Sequence, residues 1–170
     1  MILRLGAVAF LNARPLVASL EANPRFDLTF SVPSACARRL RDGEIDVGQI
    51  PSIEYARSPE PYFIVPHVAI GSGRDVLTVR LYHSKPLQEI RRVALDLNSL
   101  TSVALLRILL AEHHAIQPEF IDAQPNLTAM LEQADAALLI GDAVFAYLDT
   151  QVESVDLGRL WADMTELPFV

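Results

Sequence analysis

The chain has 170 residues, of which 51% are hydrophobic, and its 14 basic and 21 acidic residues give a net charge of −7. The hydrophobic content excludes a disordered chain, and the negative charge argues against binding to nucleic acid or to an anionic membrane surface. The single cysteine, Cys36, excludes an internal disulfide and is typical of a protein in a reducing compartment.

The N-terminal apolar run, Leu5–Leu11, is too short and too interrupted for a signal peptide. Arg4 precedes it, and Asn12 and Pro15 end it abruptly. No stretch of the sequence has the length of a transmembrane helix. We therefore expect a cytoplasmic protein.

Hydrophobic periodicity predicts three strand–helix units in the first part of the chain. The predicted strands are Leu3–Phe10, Phe26–Val32 and Ile45–Ile50, and the predicted helices are Pro15–Ala22, Ala35–Arg41 and Pro51–Tyr55. Ser34 is expected to cap the second helix, and Gly43 to end it. Three such units indicate a mostly parallel sheet covered by helices.

A loop at Gly71–Gly73 and a strand at Leu77–Tyr82 precede a second run of alternating elements. Its predicted elements are strand Val93–Leu95, helix Thr101–His114, strand Phe120–Ile121, helix Leu127–Gln133, strand Ala136–Ile140 and helix Ala143–Leu148, with Asp142 as a cap. The pattern predicts an α/β protein with two lobes, residues 1–84 and 85–170, and a cleft between them. Asn12 and Thr101 are expected on opposite sides of that cleft.

Ligands of parallel α/β sheets bind beyond the carboxyl ends of the strands. Four predicted loops qualify: Leu11–Arg14, Pro51–Ser52, Asp96–Ser102 and Gly141–Asp142. The third contains Ser99, Thr101 and Ser102, at a helix start where backbone N–H groups lack intrahelical partners. These hydroxyls either cap their own helix or help the amides to bind a carboxylate.

The sequence offers no convincing general base. Asp142 follows a strand, but an anionic ligand would be repelled by its carboxylate, and a capping role explains it. His67 and His83 titrate in the right range, yet lone histidines beside strands are usually structural or exposed. Glu54 is expected on a helix surface with Tyr55 packed beneath it.

No metal site is predicted. His113 and His114 are adjacent on a predicted helix and therefore face different directions. Redox and phosphate-binding fingerprints are also missing from the sequence, so we expect no cofactor.

Five segments together resemble the chorismate dehydratases of the futalosine route to menaquinone: AVAFLNARPL, DVGQIPSIEY, VALDLNSLTSVALLRILL, ADAALLIGDA and DLGRLWADMTELPFV. They occur in the right order along nearly the whole chain. The resemblance implies a two-lobed type II periplasmic-binding-protein fold. It also implies a cytoplasmic lyase that converts chorismate to 3-[(1-carboxyvinyl)oxy]benzoate with loss of water.

The resemblance also implies roles for some of the site residues, because Ser99, Thr101 and Ser102 match the hydroxyl-rich second-lobe corner of the family. Asn12 matches the asparagine of the family's first loop and is predicted to be catalytic. The predicted substrate-binding residues are Asn12, Pro51, Ser84, Ser99, Thr101, Ser102, Gly141 and Asp142. The predicted partner is the dicarboxylate chorismate, with the substrate's own enolpyruvyl carboxylate as the base. A non-catalytic small-carboxylate binding protein of the same fold is the alternative.

The sequence departs from the family pattern in two places. Leu100 stands where many members carry an arginine, so hydroxyls and amides are expected to hold the carboxylate. The chain stops at Phe169-Val170, where members normally continue into the first lobe. We expect it to be less stable than a longer form, and to self-associate through exposed apolar patches into a homo-oligomer.

Overall fold

A computed structural model describes residues 1–169, and the contacts between those residues divide the chain into two units. The first unit contains Met1–Ile70 and Asn98–Thr101, and the second contains Gly71–Leu97 and the chain from Ser102 onward. Each unit has its own β-sheet.

The first unit is built on a three-stranded parallel sheet. Its elements are β1 (Leu3–Val8), α1 (Arg14–Val17), β2 (Phe26–Ser31), α2 (Pro33–Arg41), β3 (Val47–Gly48) and α3 (Ser52–Arg57). Strand β1 is central and pairs in parallel with β2 and with β3. Leu5, Ala7 and Val17 are buried in a cluster between the sheet and α1. The predicted parallel sheet is therefore confirmed in this unit.

The second unit has a mixed five-stranded sheet. Its elements are β4 (Val79–His83), β5 (Arg92–Asp96), α4 (Thr101–Ile108), β6 (Glu119–Ala123), α5 (Leu127–Leu131), β7 (Ala136–Ile140), β8 (Glu153–Asp156) and α6 (Leu157–Thr165). Of α4, the first residue, Thr101, counts with the first unit. The strand order is β6-β5-β7-β4-β8. Strand β5 pairs in parallel with β6 and β7, whereas β4 is antiparallel to β7 and β8. Strand β7 is buried along its whole length.

Strand β4 belongs to the second unit, whereas the sequence-based division at residue 84 assigns it to the first lobe. The reason is its pairing: β4 is hydrogen-bonded between β7 and β8, in the interior of the second sheet. Tyr82 on this strand is 1% exposed and packs with Met130 and Leu139 in the core of the second unit.

Asp156 joins the start of α6 to the segment before β4. Its buried carboxylate accepts hydrogen bonds from the backbone N–H groups of Gly158 (2.9 Å) and Arg159 (3.2 Å), and thus caps α6. It also accepts from the backbone N–H groups of Val76 (3.1 Å) and Leu77 (2.7 Å). Gly158 permits this close packing, because a Cβ there would lie 2.3 Å from Val76 Cγ2.

Several predicted helix boundaries are wrong. Helix α1 ends at Val17 instead of Ala22, because residues 18–22 continue as hydrogen-bonded turns. Helix α2 begins at Pro33 with Val32 at its N-cap, so Ser34 lies inside the first turn; Gly43 does follow its end, with φ of 69°.

The second unit shows similar differences from the prediction. The α-helical geometry of α4 gives way to a π-helical turn at Leu109–His113. A 3₁₀ segment, Gly141–Tyr147, replaces the predicted helix after β7, and Ile140 occupies its N-cap position instead of Asp142. Strand β8 and helix α6 are not predicted at all. Within residues 1–169, none of the helices has both the length and the apolar character needed to cross a membrane.

Candidate functional site

The carboxyl ends of β1, β2 and β3 meet at one edge of the first sheet because the three strands are parallel. Two candidate loops follow this edge. Asn12 lies in a 3₁₀ turn, Leu11–Ala13, and is exposed. Pro51 occupies the N-cap position of α3. The structure thus places both predicted residues at the edge where ligands of such sheets bind.

Gln49 also lies at this edge, although sequence reasoning did not select it. Its backbone N–H donates to the carbonyl of Gly6 (2.9 Å), and its side-chain Oε1 accepts from the backbone N–H of Val8 (2.7 Å). A polar residue between an apolar strand and Pro51 is the signal that could have identified it. The motif DVGQIPS contains that signal.

Thr101 belongs by its contacts to the first unit, together with Asn12. Its Oγ1 accepts a hydrogen bond from the backbone N–H of Ile53 (3.3 Å) and lies 3.4 Å from Ser52 Oγ. The prediction that Thr101 belongs to the second lobe is therefore wrong, because its hydroxyl satisfies an N–H group in the first turn of α3. Neither sequence-based alternative included this role.

Ser99 belongs with the first unit and lies between β5 and α4, whereas Ser102 belongs with the second unit and lies in the first turn of α4. Both are buried, at 6% and 4% exposed, and Asp96 at the end of β5 is 1% exposed. Buried polar groups in such a position must be hydrogen-bonded to keep the fold stable. Asp96 was not selected from the sequence, because nothing in an apolar strand followed by a turn reveals that its last residue is buried.

The carboxyl end of β7 lies beside that of β5, since these strands are parallel neighbours. Gly141 directly follows β7, is buried, and has φ of 63°, a conformation that favours glycine. Its backbone N–H donates to the carbonyl of Thr78 (2.8 Å). Asp142 comes next and is exposed. The structure therefore brings the predicted loops after β5 and β7 to one edge of the second sheet.

Ser84 is not brought together with these residues. It follows β4, which is antiparallel to β7, so it lies at the opposite edge of the second sheet from Gly141. Its backbone N–H and its hydroxyl both donate to the carbonyl of Asp135 (2.9 and 3.0 Å). Ser84 also lines a surface concavity of about 390 Å³ with Lys85 and Arg91.

Glu54 and Tyr55 have the reverse of their predicted positions. Glu54 is buried and accepts a hydrogen bond from Arg41 Nε (3.0 Å), whereas Tyr55 is 49% exposed. The hydrogen bonds to Glu54 raise the pKa of Arg41 above its ordinary value. Because its carboxylate is bound to a guanidinium, Glu54 is poorly suited to act as a base.

The remaining titratable candidates are structural or exposed. His83 is buried, and its Nδ1 is 2.9 Å from the carbonyl of Lys85; His67 is exposed, with φ of 64°. Burial lowers the pKa of His114 and raises that of the Cys36 thiol. Within residues 1–169, no group of three or more His, Cys, Asp or Glu side chains could hold a metal ion.

The chain matches a protein-family model described as menaquinone biosynthesis over residues 3–170. A chorismate dehydratase of Thermus thermophilus is 33% identical over 183 residues, which cover 98% of this chain and 66% of that relative. The chain thus spans slightly less than two thirds of the length of this relative.

Two solved structures resemble the chain at lower identity. Protein AF1704 from Archaeoglobus fulgidus has a TM-score of 0.75 at 20% identity, covering 98% of this chain and 64% of that one. The periplasmic VFT2 domain of BvgS from Bordetella pertussis has a TM-score of 0.49 at 18% identity, covering 92% and 74%. The predicted α/β fold is confirmed, and the chain shares the fold of AF1704.

Proposed function

Because the chain belongs to the menaquinone biosynthesis family, we propose that it acts as a chorismate dehydratase, a lyase that forms 3-[(1-carboxyvinyl)oxy]benzoate and water. The observation that carries this proposal is its 33% identity, over 98% of its length, to a protein named chorismate dehydratase. No metal or cofactor is part of the proposal. The cytoplasmic location and the self-association expected from the sequence stay predictions.

The reaction needs hydrogen-bond donors more than it needs a strong base. A ring C–H bond and the neighbouring C–O bond break, a C=C bond forms, and the proton and hydroxyl leave together as water. The ring becomes aromatic, so the step is downhill. Charge that develops during proton removal spreads onto the ring carboxylate, where neutral donors stabilise it in the manner of an oxyanion hole.

Each unit offers such donors. In the first unit, the exposed Asn12 amide lies in a loop at the carboxyl edge of the sheet. The Thr101 hydroxyl contacts Ile53 in the first turn of α3, which also follows that edge. In the second unit, the first turn of α4 contributes Ser102. We retain Pro51, Ser99, Gly141 and Asp142 in the proposed substrate-binding set and assign Asn12 as catalytic. Ser84 is left out, because it lies at the opposite edge of its sheet from Gly141.

We assign the role of base to the enolpyruvyl carboxylate of the substrate itself. The Glu54 carboxylate is bound to Arg41, and an anionic Asp142 beside a dianionic substrate would raise the cost of binding. A carboxylate of the substrate takes the ring proton and passes it to the departing hydroxyl. The protein then contributes orientation and donors, and orientation alone supplies a large part of the rate in reactions of this kind.

The decisive experiment incubates the purified chain with chorismate and follows the aromatic product by absorbance and mass spectrometry. We expect turnover in the wild type and a large fall in kcat for Asn12→Asp, which keeps the shape of the side chain but replaces its donor with a charge. Asn23→Asp is the matched control, because Asn23 uses its Oδ1 to accept from Arg25 N–H in a turn. Binding of chorismate without turnover would favour the alternative, a carboxylate-binding protein. If the chain neither binds nor converts chorismate, both the enzyme and the binding-protein assignments are refuted.

A further inference from the structure

The side-chain amide of Gln49 is held in one orientation at the carboxyl edge of the first sheet. Oε1 accepts from the backbone N–H of Val8 at 2.7 Å, and the Gln49 backbone N–H donates to Gly6 at 2.9 Å. A backbone N–H can only donate, so the amide oxygen must face Val8. The Nε2 group, with its two N–H donors, is consequently turned away from the Val8 N–H.

This Nε2 group has no hydrogen-bond partner within residues 1–169, and it is not among the side-chain atoms shielded from solvent there. Gln49 lies two residues before Pro51 at the start of α3, at the same edge as the loop that carries Asn12. An oriented amide donor at a ligand-binding edge suits an acceptor that has no proton of its own. A carboxylate is the commonest group of that type.

Arg14, the cation that directly follows the loop carrying Asn12, is already engaged. Arg14 Nη1 forms an ion pair with Glu21 (3.0 Å), and its guanidinium lies 4.2 Å from the centre of the Phe30 ring. A neutral donor such as Gln49 Nε2 can bind an anionic ligand without breaking an existing ion pair. This property is useful in a chain whose net charge of −7 repels anions at long range.

We propose that Gln49 is a specificity-determining residue, whose Nε2 donates to one carboxylate of the ligand of the first unit. The inference rests on the proposed function and deepens it, because it names the group that recognises a carboxylate. The competing explanation is that Gln49 only completes the hydrogen bonding of β1, where the backbone of β3 turns away at Pro51.

Replacement by glutamate separates these explanations. In Gln49→Glu, one carboxylate oxygen still accepts from Val8 N–H, so the end of β1 is preserved. The two N–H donors are lost, and a negative charge faces the ligand carboxylate instead. Gln88→Glu makes the same chemical change in the short turn before the amino end of β5, and serves as the control.

The test measures the Kd for chorismate by calorimetry, kcat and KM, and the melting temperature of wild type, Gln49→Glu and Gln88→Glu. We expect Gln49→Glu to keep its melting temperature while Kd and KM rise roughly tenfold or more, since hydrogen bonds to charged groups carry such effects. A diester of chorismate, which lacks both charges, should lose much less affinity. Gln88→Glu should match the wild type throughout.

The outcomes separate the two proposals. If the wild type binds chorismate and Gln49→Glu binds it equally well, the role of Gln49 is wrong while the proposed function survives. If the wild type neither binds nor converts chorismate, the proposed function itself fails and the ligand assigned to Gln49 fails with it. Should Gln49→Glu not fold, Gln49→Met takes its place, and an unchanged Kd in that variant overturns the inference.

Discussion

Replacing Thr101 with valine tests whether its hydroxyl stabilises α3, binds substrate, or does both. Valine keeps the branched shape and removes only the oxygen that accepts from Ile53 N–H. Loss of a first-turn hydrogen bond of this kind costs typically about 1 kcal/mol. The distance of 3.3 Å is longer than the usual 2.9–3.0 Å, so we expect about 0.5–1 kcal/mol, or roughly 1–4 °C in melting temperature.

The catalytic expectation is larger and comes from the proton of the same hydroxyl. Accepting from Ile53 uses a lone pair of Oγ1, so the O–H group can still donate, either to Ser52 Oγ at 3.4 Å or to a bound carboxylate. Losing a hydrogen bond to a charged group costs about 1.5–3 kcal/mol. We therefore expect KM for chorismate to rise roughly tenfold or more in Thr101→Val.

The assay compares steady-state kinetics and urea unfolding of wild type, Thr101→Val and Thr101→Ser. Serine retains the hydroxyl and should remain within about twofold of the wild-type KM, a difference of only about 0.4 kcal/mol. Thr128→Val, at an exposed position of α5, controls for the chemical change. If KM is unchanged in Thr101→Val, Thr101 only caps α3 and does not bind substrate. If the free energy of unfolding falls by more than about 3 kcal/mol, the estimate from one long hydrogen bond is wrong.

Three further predictions concern stability. Gly158→Ala should lower the free energy of unfolding by about 1–3 kcal/mol in urea titrations, because its Cβ would lie 2.6 Å from the carbonyl of Arg74; an unchanged midpoint would contradict this. Tyr82→Phe should raise it by about 1 kcal/mol, because within residues 1–169 the shielded Tyr82 hydroxyl has no hydrogen-bond partner; a lower urea midpoint would be evidence of one. Hydrogen bonds from Arg4 lower the pKa of Asp46 from 3.8 to about 2, so the ionised Asp46 stabilises the fold fully above pH 3.8 and this stabilisation is lost as the pH falls toward 2. The melting temperature of Asp46→Asn should therefore fall less steeply with pH in that range than that of the wild type. Equal slopes for the two proteins would refute the pairing.

The sequence was informative wherever burial dictates the pattern. Strand Ala136–Ile140 was predicted to the residue, because five consecutive apolar residues between polar ones are typical of a strand buried on both faces. The parallel sheet of the first unit followed from its alternating strands and helices. The bounds of short edge strands are harder to predict, because apolar periodicity alone does not show where strand pairing stops. Strand β3 is predicted at Ile45–Ile50 but covers only Val47–Gly48.

Strand direction and cross-chain contacts lay beyond the sequence pattern. Ser84 stands in the same predicted set as Gly141, and only the antiparallel pairing of β4 separates them. Glu54 appeared to belong on a surface until Arg41, on another helix, proved to bind it. The role of Thr101 at α3 depends on a residue 48 positions away. Such partners are set by tertiary structure, which local propensity does not encode.

The antiparallel bridge between Ser72 and Phe169 has a consequence for protein engineering. Their backbones exchange two hydrogen bonds, Ser72 N–H to Phe169 O at 2.8 Å and Phe169 N–H to Ser72 O at 2.9 Å. Both residues belong to the second unit, so two segments far apart in the sequence lie side by side in it. Domains with adjacent ends tolerate transplantation and circular permutation. A short glycine-containing linker could join residues 72 and 169, with new termini opened at an exposed loop such as the one that precedes β8. The transplanted segment would also carry Asn98–Thr101, which belong by their contacts to the first unit.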